Sequence, residues 1–371
     1  MPPFQSPSPR RAASLNVVLV IALLASCDGD SIGINREFLD GTADNPEIGL
    51  VVNSTGKALT LFQLGDPANV HTVALGASSA VTPTGLAVNG ERAAVPLGNA
   101  ASVALVDLRN EAIERVFTFP SGNATGAAFA DATTLLAVNL VDDYLAKATL
   151  DQAGTEMTET VAVAPAPTAV VVAGGRAFVV SGNLDENFAP LGNGIVTAVD
   201  PATLSVLGTI ESGGTNTSAA AVAPNGMLYV VNTEDFVADA SVTVIDPATL
   251  QAVKTVPGFG PGMGSIHIDD AGLAYLSSFG GGTVVWNTVT EAFVRGPDDP
   301  VCARLTLVPG IPCRGAADAT GASDGSVYQT FFGSAAESLP PYVFVYAPGT
   351  YQLADSVAVG AGPSAIEIRT F

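Results

Sequence analysis

The 371-residue sequence predicts an all-β fold in which seven four-stranded antiparallel sheets close into a ring. A unit of strand, loop, strand and turn recurs along almost the whole chain, most clearly at residues 228–250. The step between two successive copies, from Asp200 to Asp246, is 46 residues, which suits one four-stranded propeller blade. The two ends of the repeated region are complementary parts of a single sheet. Together these observations predict a seven-bladed β-propeller.

The unit at residues 228–250 shows why its copies form strands. LYVVN at 228–232 and SVTVI at 241–245 are β-branched and aromatic runs of strand length. Asp246 and Pro247 then supply turn chemistry, because proline presets φ and an aspartate side chain bonds to the backbone that follows it. The segment therefore predicts two strands and a tight turn.

From Ile48 onward the chain divides into seven such copies, each with strands that we name a to d from the centre of the ring outward. The turn after strand c marks each copy: GDPA at 65–68, VDLRN at 106–110, LDQAG at 150–154, VDPATL at 199–204, IDPATL at 245–250, WNT at 286–288 and YAPG at 346–349. Strand b recurs as LVVN at 50–53, LAVN at 136–139, FVVS at 178–181, YVVN at 229–232 and AYLS at 274–277. Strand a recurs as PTGL at 83–86, PTAV at 167–170 and PSAI at 363–366, with the small residues that a crowded central axis favours.

The chain ends indicate how the ring closes. Residues 363–371 form a strand a with no further strands after it, and residues 48–76 supply strands b, c and d with no strand a before them. We therefore expect the C-terminal strand to join the first blade along residues 48–64, which leaves no free edge pair at the seam. A pair of β-sandwiches, the alternative all-β fold, predicts no such complementary halves.

The N-terminus predicts an export signal at residues 1–26. Arg10 and Arg11 precede the apolar run VVLVIALLA at 17–25, which is too short to span a bilayer as a helix. LASC at 24–27 resembles a bacterial lipobox, in which the cysteine is diacylated and becomes the first residue after cleavage. Cys27 is thus the predicted lipidation site, and an ordinary secretory peptide with an incidental cysteine is the alternative.

Residues 27–47 are expected to form a polar tether, because residues 28–47 lack strand or helix periodicity. Residues 48–371 then form a single propeller domain. On this interpretation the protein is lipid-anchored to the inner or the outer membrane of the cell envelope and faces the periplasm or the exterior.

The charge balance argues against a nucleic-acid-binding protein. The chain holds 35 acidic and 14 basic residues, with a formal net charge of −21. Lys57, Lys147 and Lys254 are its only lysines and are far apart in the sequence, whereas a phosphate-binding surface needs clustered basic residues. The acidity favours solubility and cationic partners instead.

The succession LYVVN, SVTVIDPATL and QAVKTV in the fifth repeat resembles the YVTN-repeat β-propellers of bacterial and archaeal envelopes. The resemblance is close in the fourth and fifth blades and looser in the first and sixth. It implies a seven-bladed ring and, in most members, no assigned activity. We predict no cofactor, because Trp286 is the sole tryptophan and the repeated tryptophan docking of quinoprotein propellers is missing. Related seven-bladed propellers include lactonases and the large chain of quinone-dependent amine dehydrogenases, but fold alone transfers no catalytic residue between them.

Few residues offer catalytic or metal-binding chemistry. The two histidines are His71, in a predicted strand d, and His267, in a predicted strand a where it would face the channel beside Asp269 or Asp270. A packed or hydrogen-bonded side chain is the alternative for His267. The sequence lacks the HExxH motif of zinc proteases and the Walker-type phosphate loop. Its carboxylate pairs at 142–143, 269–270 and 298–299 lack EF-hand spacing, so we predict no metal ligand and no catalytic residue.

Cys302 and Cys313 predict an intrachain disulfide. They flank ARLTLVPGIP, inside an insertion that follows strand c of the sixth blade. An exported protein meets the oxidising conditions that a disulfide requires. Two unpaired thiols are the alternative, and a metal site is disfavoured because no histidine or further cysteine lies nearby.

The b–c loops are long, acidic and aromatic, and propeller geometry places them on one face of the disc with the d–a loops. Loops on a rigid scaffold commonly carry binding, so we predict that this face meets a ligand. The candidate binding residues are Asp142, Asp143, Tyr144, Asp185, Glu186, Phe188, Glu234, Asp235, Phe236 and His267.

Two functions remain open from the sequence. The favoured one is a membrane-anchored, monomeric binding or scaffolding lipoprotein whose loop face holds a protein, peptide or glycan. The alternative is an envelope hydrolase of lactonase type, working at the mouth of the central channel near His267. Convergent carboxylates and histidine around the mouth would favour the enzyme, whereas a shallow or apolar mouth would favour the binding protein.

Overall fold

A computed structural model describes residue 39 and residues 46–303, 315–333 and 338–371. Within them the first three strands in chain order are β1 (Glu47–Asn53), β2 (Ala58–Gln63) and β3 (Asp66–Ala74). The second blade contains β4 (Ala87–Asn89), β5 (Arg92–Pro96), β6 (Ser102–Asp107) and β7 (Ala112–Thr118), and the third contains β8 (Ala124–Phe129), β9 (Thr134–Asn139), β10 (Tyr144–Thr149) and β11 (Glu159–Ala162). The fourth contains β12 (Pro167–Ala173), β13 (Arg176–Ser181), β14 (Ile195–Asp200) and β15 (Ser205–Glu211), and the fifth contains β16 (Thr217–Val222), β17 (Leu228–Asn232), β18 (Asp239–Asp246) and β19 (Gln251–Pro261).

The sixth blade contains β20 (Met263–Ile268), β21 (Leu273–Ser278), β22 (Gly282–Asn287) and β23 (Ala292–Arg295), and the seventh contains β24 (Ala319–Gly321), β25 (Val327–Phe331), β26 (Tyr342–Tyr346) and β27 (Leu353–Ala358). The last strand is β28 (Pro363–Thr370). Each blade is a four-stranded antiparallel sheet, which confirms the predicted all-β, seven-bladed architecture. In the described part of the chain, no helix has the length and apolar character needed to cross a membrane.

Strand β28 closes the ring as the sequence predicts. It is the innermost strand of the first blade and pairs antiparallel with β1, with Ile366 opposite Val51 and Ile368 opposite Gly49. The first blade is therefore assembled from both ends of the chain. The seam carries a full ladder of backbone hydrogen bonds in place of two open sheet edges.

The hydrophobic core consists of seven clusters in the described residues, and each cluster fills the space between two neighbouring blades. In β1, Leu50 and Val52 pack against the second blade, whereas Val51 packs against the seventh. Both faces of strand b are thus buried, which explains why LVVN and its copies are continuous apolar runs without alternation. Every inner blade surface depends on a neighbour for its burial, so the ring is one cooperative unit.

Aromatic packing is densest between the fifth and sixth blades. The fully buried Trp286 makes edge-to-face contacts with Tyr229 and Phe259, at ring-centroid distances of 5.9 Å and 5.5 Å. In the first blade, close ring packing requires a glycine, since a Cβ on Gly49 would lie 2.2 Å from the ring of Phe62. These contacts fix the spacing of neighbouring blades.

The disc has two faces, which we name by their loops. The b–c face carries the b–c loops and the d–a connections, and the a–b face carries the a–b and c–d turns. Both ends of the propeller lie on the a–b face, where the Phe371 N–H donates to the carbonyl of Pro46. Leu39, within the predicted tether, is also described: it packs against the first core cluster, and its carbonyl accepts a hydrogen bond from Arg109.

The insertion with the two predicted cysteines lies one strand later than the sequence indicates. It follows β23, a strand d of only four residues, and so belongs to the connection between the sixth and seventh blades. The sequence gives little sign of β23 because AFVR is short and exposed. Its described ends, residues 296–303 and 315–318, belong to a d–a connection and therefore lie on the b–c face.

Candidate functional site

Exposed apolar side chains concentrate on the b–c face. Seven large apolar residues with exposed fractions between 36% and 82% lie in b–c loops: Val141, Phe188, Leu191, Phe236, Val237, Phe279 and Phe332. In the turns of the a–b face, the described residues include one comparable side chain, Val289. Since water-exposed apolar groups grouped on one surface commonly mark an interaction site, this asymmetry identifies the b–c face as the candidate site.

Two of these phenylalanines stand on left-handed backbone. The φ angles of Phe188 and Phe236 are 59° and 66°, a region that costs a bulky residue roughly 1–2 kcal/mol. Their loops are held by aspartates: Asp185 Oδ1 accepts hydrogen bonds from the N–H groups of Asn187 and Ala189, at 2.8 and 2.9 Å. Each ring is thus displayed outward by a folded loop.

Asp235 holds the b–c loop of the fifth blade in the way that Asp185 holds that of the fourth. Its Oδ1 accepts from the N–H groups of Val237 at 3.0 Å and Ala238 at 2.7 Å. The hydrogen bonds from Ala238 and then Val237 hold the pKa of Asp235 below its usual value. Asp235 therefore stays ionised at the tip of the loop, and the neighbouring blade's Glu186 is exposed beside Phe188.

The other predicted carboxylates connect each b–c loop to an adjacent d–a connection. Asp142 accepts a hydrogen bond from Ser121 Oγ at 2.8 Å, and Asp143 accepts one from the Ala166 N–H at 2.8 Å. Glu234 accepts from the N–H and hydroxyl of Thr215, at 3.1 and 2.7 Å. These three side chains stiffen the face, and their charge remains on it.

The asparagine that ends strand b also positions its loop. Asn139 is fully buried, and its Oδ1 accepts hydrogen bonds from the N–H groups of Val141 and Asp142 at 3.2 and 3.1 Å. In the fifth blade, Asn232 donates to the hydroxyls of Ser241 and Thr243. The sequence shows this asparagine as part of a repeated strand, and the structure adds that its side chain caps the loop that follows.

Tyr144 does not belong to the binding face. It is the first residue of β10 and is half-buried, with its ring packed edge-to-face on Phe119 at 5.6 Å. Burial raises the pKa of its hydroxyl. The sequence analysis placed Tyr144 in the loop because the loop proper, residues 140–143, is shorter than the polar run suggests.

Phe279 and Phe332 are site residues that the sequence analysis missed. Their rings pack edge-to-face at 5.2 Å between the b–c loops of the sixth and seventh blades. The available signal was an aromatic residue followed by glycine directly after strand b, as in SFGGG and FFGS. These loops begin without the acidic residues that mark the predicted binding loops of the third, fourth and fifth blades.

A central channel with a cavity of about 400 Å³ runs between the inner strands. Hydroxyl groups at its rim link neighbouring blades: Thr84 Oγ1 donates to the carbonyl of Thr125, Thr125 Oγ1 to that of Pro167, and Thr168 Oγ1 to that of Ser218. The rim hydroxyls therefore support the ring, and the small side chains between them leave the axis open.

His267 lies in β20, the inner strand, as predicted, but its partner is Asp318. The distance from His267 Nε2 to Asp318 Oδ2 is 2.9 Å, and the same oxygen accepts the Ile366 N–H at 2.9 Å. Asp269, an expected partner, instead accepts a hydrogen bond from the Tyr275 hydroxyl at 2.9 Å. Asp318 thus joins the sixth blade, the seventh blade and the closing strand β28.

The position of His267 corrects its assignment to the loop face. It pairs with Tyr275 and lies one residue before the end of β20, close to the a–b turn. At the other end of the channel, the mouth on the b–c face is lined by Gly262, Gly264 and Phe279. No group of three or more His, Cys, Asp or Glu residues suited to a metal ion occurs in the described ranges.

The charges around His267 favour its protonated form. Burial and the positive charge of Arg369 lower the pKa of His267. The charge and hydrogen bond of Asp318, together with the charge of Glu367, raise it by more, so the net pKa is raised. Burial raises the pKa of Glu367, against the lowering effects of Arg369 and His267. The raised pKa values of His267 and Glu367 thus depend on charges that face each other between the sixth blade and the closing strand.

We expect protonated His267 to stabilise the ring in a pH-dependent way. Because its pKa is raised in the folded state, its contribution is complete below about pH 6.5, the value for an unfolded histidine, and is lost as pH rises through the folded pKa. Urea unfolding of the wild type and His267→Gln from about pH 5 to pH 9 tests this. The difference in free energy of unfolding should shrink as pH rises; a constant or growing difference would contradict the assignment.

Of the remaining residues singled out from the sequence, His71 and Asp299 lie beside charged partners, and two cysteines lie outside the described residues. His71 is in the outer strand β3, and its Nδ1 is 2.7 Å from a carboxylate oxygen of Glu111 in the second blade. Asp299 pairs with Arg295 at 2.9 Å. Cys27 and Cys313 lie outside the described residues, and Cys302 is half-buried beside Val301.

The Cys302–Cys313 disulfide stays a prediction. We expect thiol labelling of the denatured, unreduced mature protein to find both cysteines blocked, and labelling after reduction to find both reactive. Loss of the disulfide in a double Cys→Ser variant should barely move the main thermal transition, because Cys302 itself is half-buried and the core cluster beside it consists mainly of strand residues of the sixth and seventh blades. Two reactive thiols before reduction would rule the pairing out.

Comparison with known proteins shows the fold alone. No family model matches the sequence, and no curated protein matches it. Among solved structures, Kuenenia stuttgartiensis hydrazine synthase aligns with a TM-score of 0.60 and 12% identity, covering 78% of this chain and 90% of that one. A functionally unknown protein from Desulfotomaculum acetoxidans aligns with a TM-score of 0.63 and 13% identity, covering 87% and 98%. Both likenesses support the seven-bladed propeller architecture.

Proposed function

We propose that this protein is a lipid-anchored, extracytoplasmic scaffold of the YVTN-repeat type that binds a macromolecular partner on its b–c face. The observation that carries the proposal is the grouping of Val141, Phe188, Phe236 and Phe279 with other exposed apolar side chains on that face. Such groups cost free energy in water and become favourable when a partner covers them. The channel mouth on this face is lined by glycines, Phe279 and threonine hydroxyls that donate to neighbouring backbone carbonyls, a lining that agrees with binding more than with hydrolysis.

Site-specific photo-cross-linking in intact cells tests this function. A benzophenone amino acid replaces Asn187 or Ala238, next to the exposed phenylalanines, and Asp270 or Val289 on the a–b face serves as the control. We expect cross-linked complexes from the two b–c positions and none from the controls. Complexes formed only from the a–b face, or from neither face, would overturn the proposal.

The predicted lipid anchor has its own test. Because Cys27 precedes the propeller, Cys27→Ser should move the protein from the membrane fraction to the soluble extracytoplasmic fraction without changing its thermal unfolding. Two acyl chains suffice for stable anchoring at roughly 0.8 kcal/mol per buried CH₂. Retention of the variant in the membrane fraction would contradict lipidation at this residue.

A lactonase-type envelope hydrolase is the second candidate, and the observation that favours it is the His267–Asp318 pair beside the channel cavity. An aspartate that accepts from one ring nitrogen orients a histidine as a base. A panel of aliphatic and homoserine lactones, offered to the wild type and His267→Gln, tests it. Hydrolysis by the wild type that His267→Gln loses would support the enzyme, and equal background rates would reject it.

A further inference from the structure

We infer that the partner of the b–c face is a polypeptide whose contact segment combines Lys or Arg with aromatic or aliphatic side chains. This inference rests on the proposed function and specifies the partner's chemistry. It concerns the acidic-apolar surface, which we define as the b–c loops of the third, fourth and fifth blades, residues 140–143, 182–194 and 233–238.

The acidic-apolar surface has one sign of charge. Its loops hold six carboxylates and no lysine or arginine: Asp142, Asp143, Asp185, Glu186, Glu234 and Asp235. The same loops present Val141, Phe188, Leu191, Phe236 and Val237 to water. A partner that covers the apolar groups must therefore enter a negative field, which favours cations and repels anions.

The basic residues that the structure describes lie away from this surface. Seven of the nine described Lys and Arg side chains bond to groups in or near the turns of the a–b face: Arg92, Arg109, Arg115, Lys147, Arg176, Lys254 and Arg369. The other two are engaged nearer the b–c face, Lys57 with the Ser78 carbonyl at 2.8 Å and Arg295 with Asp299. Within the described residues, no cation neutralises the acidic-apolar surface.

The carboxylates contribute a field more than directed hydrogen bonds. Asp143, Asp185 and Asp235 each use an oxygen on a backbone N–H of their own loops or a neighbouring connection. A neutral glycan is recognised through directed donors and acceptors, and the Oδ1 atom of each of these aspartates is already engaged internally. A Lys or Arg responds to the field itself and also stacks on exposed phenyl rings such as Phe188 and Phe236. These contacts favour a basic-apolar polypeptide over a glycan.

A peptide selection tests the partner's chemistry without assuming its sequence. Phage displaying random peptides of about twelve residues are selected on the mature Cys27→Ser chain, after depletion on the same chain carrying Phe188→Ser and Phe236→Ser. Both phenylalanines are exposed, so the depleting variant keeps its core. We expect the enriched peptides to carry net positive charge together with aromatic or aliphatic residues.

Fluorescence anisotropy of an enriched peptide then measures how much the apolar contact and the charge attraction each contribute to its affinity. Phe236→Ser should weaken binding at least about tenfold, and Glu186→Lys should weaken it by roughly three- to tenfold at about 50 mM salt, less at about 500 mM. Asp270→Lys, on the a–b face, makes the same charge change and should leave affinity unaltered.

Three results of the peptide experiments would overturn this inference: enriched peptides that are neutral or acidic, no loop-dependent enrichment at all, or equal effects of Glu186→Lys and Asp270→Lys. Binding of a neutral oligosaccharide such as cellohexaose, lost in Phe236→Ser, would also overturn it. If cross-linking at 187 and 238 succeeds while these tests fail, the binding function stands and only the partner's chemistry is wrong. If cross-linking itself fails, the proposed function is wrong.

Discussion

Removal of residues 363–371 is expected to abolish cooperative folding of the entire ring. The deletion removes β28, including the fully buried Ile366, and exposes the whole inner edge of β1. Truncating one buried isoleucine lowers the free energy of unfolding by about 2–5 kcal/mol. We expect loss of the full strand to cost more than the entire free energy of unfolding of a typical domain, about 5–15 kcal/mol. Circular dichroism and urea titration should show no native baseline.

The matched control is deletion of residues 28–44 in the Cys27→Ser chain. It removes more residues but only one described contact site, Leu39 at the edge of the first core cluster. We expect its midpoint in urea to change little. Equal damage from the two deletions would show that the seam does not hold the ring together.

Asp318→Ala is expected to be the most damaging single polar substitution considered. Asp318 is 5% exposed, and it accepts hydrogen bonds from His267, Ile366 and Ala319. Truncation leaves these donors without an acceptor in a buried site, which costs about 3–5 kcal/mol. Equilibrium unfolding in urea should show a lower midpoint with an unchanged slope.

Asp270→Ala provides the comparison for Asp318→Ala, because Asp270 is an exposed aspartate in the turn after β20. Its substitution should change the free energy of unfolding by less than about 0.5 kcal/mol. Amide hydrogen exchange locates the effect: Asp318→Ala should release protection in β28 and β20 before the opposite side of the ring. Uniform loss of protection would mean that Asp318 has no special role at the seam.

The repeat made the architecture predictable from sequence. Strand c ends at a turn residue such as Asp200 or Asp246 in each clear copy, and the structure has its c–d turns at those positions. The missing strand a of the first copy predicted the seam, since a blade must be completed to bury both faces. The turns depend on neighbouring residues, and the seam depends on which strand is missing at each end of the repeats. Both can be read directly from the order of residues in the sequence.

The site was less predictable because its decisive contacts cross blades. His267 finds Asp318 51 residues later in the chain, beyond the whole remainder of its own blade. The neighbouring Asp269, close in sequence, is turned toward Tyr275. Sequence also identified the acidic residues of the b–c loops, but not that most of them accept hydrogen bonds from their own loops or from neighbouring d–a connections. The phenylalanines are the accessible apolar groups beside them.

If Cys27 is lipidated as proposed, the location of both propeller ends on one face sets the orientation of the protein at the membrane. With lipid at Cys27, the tether leads from the membrane to Pro46 on the a–b face. The strands between the two faces, such as the seven-residue β1, span about 20 Å. The binding surface would then stand on the far side of the disc and open toward the compartment interior. A partner in the opposing membrane or free in that compartment could reach it directly, whereas lipid headgroups beside the anchor could not.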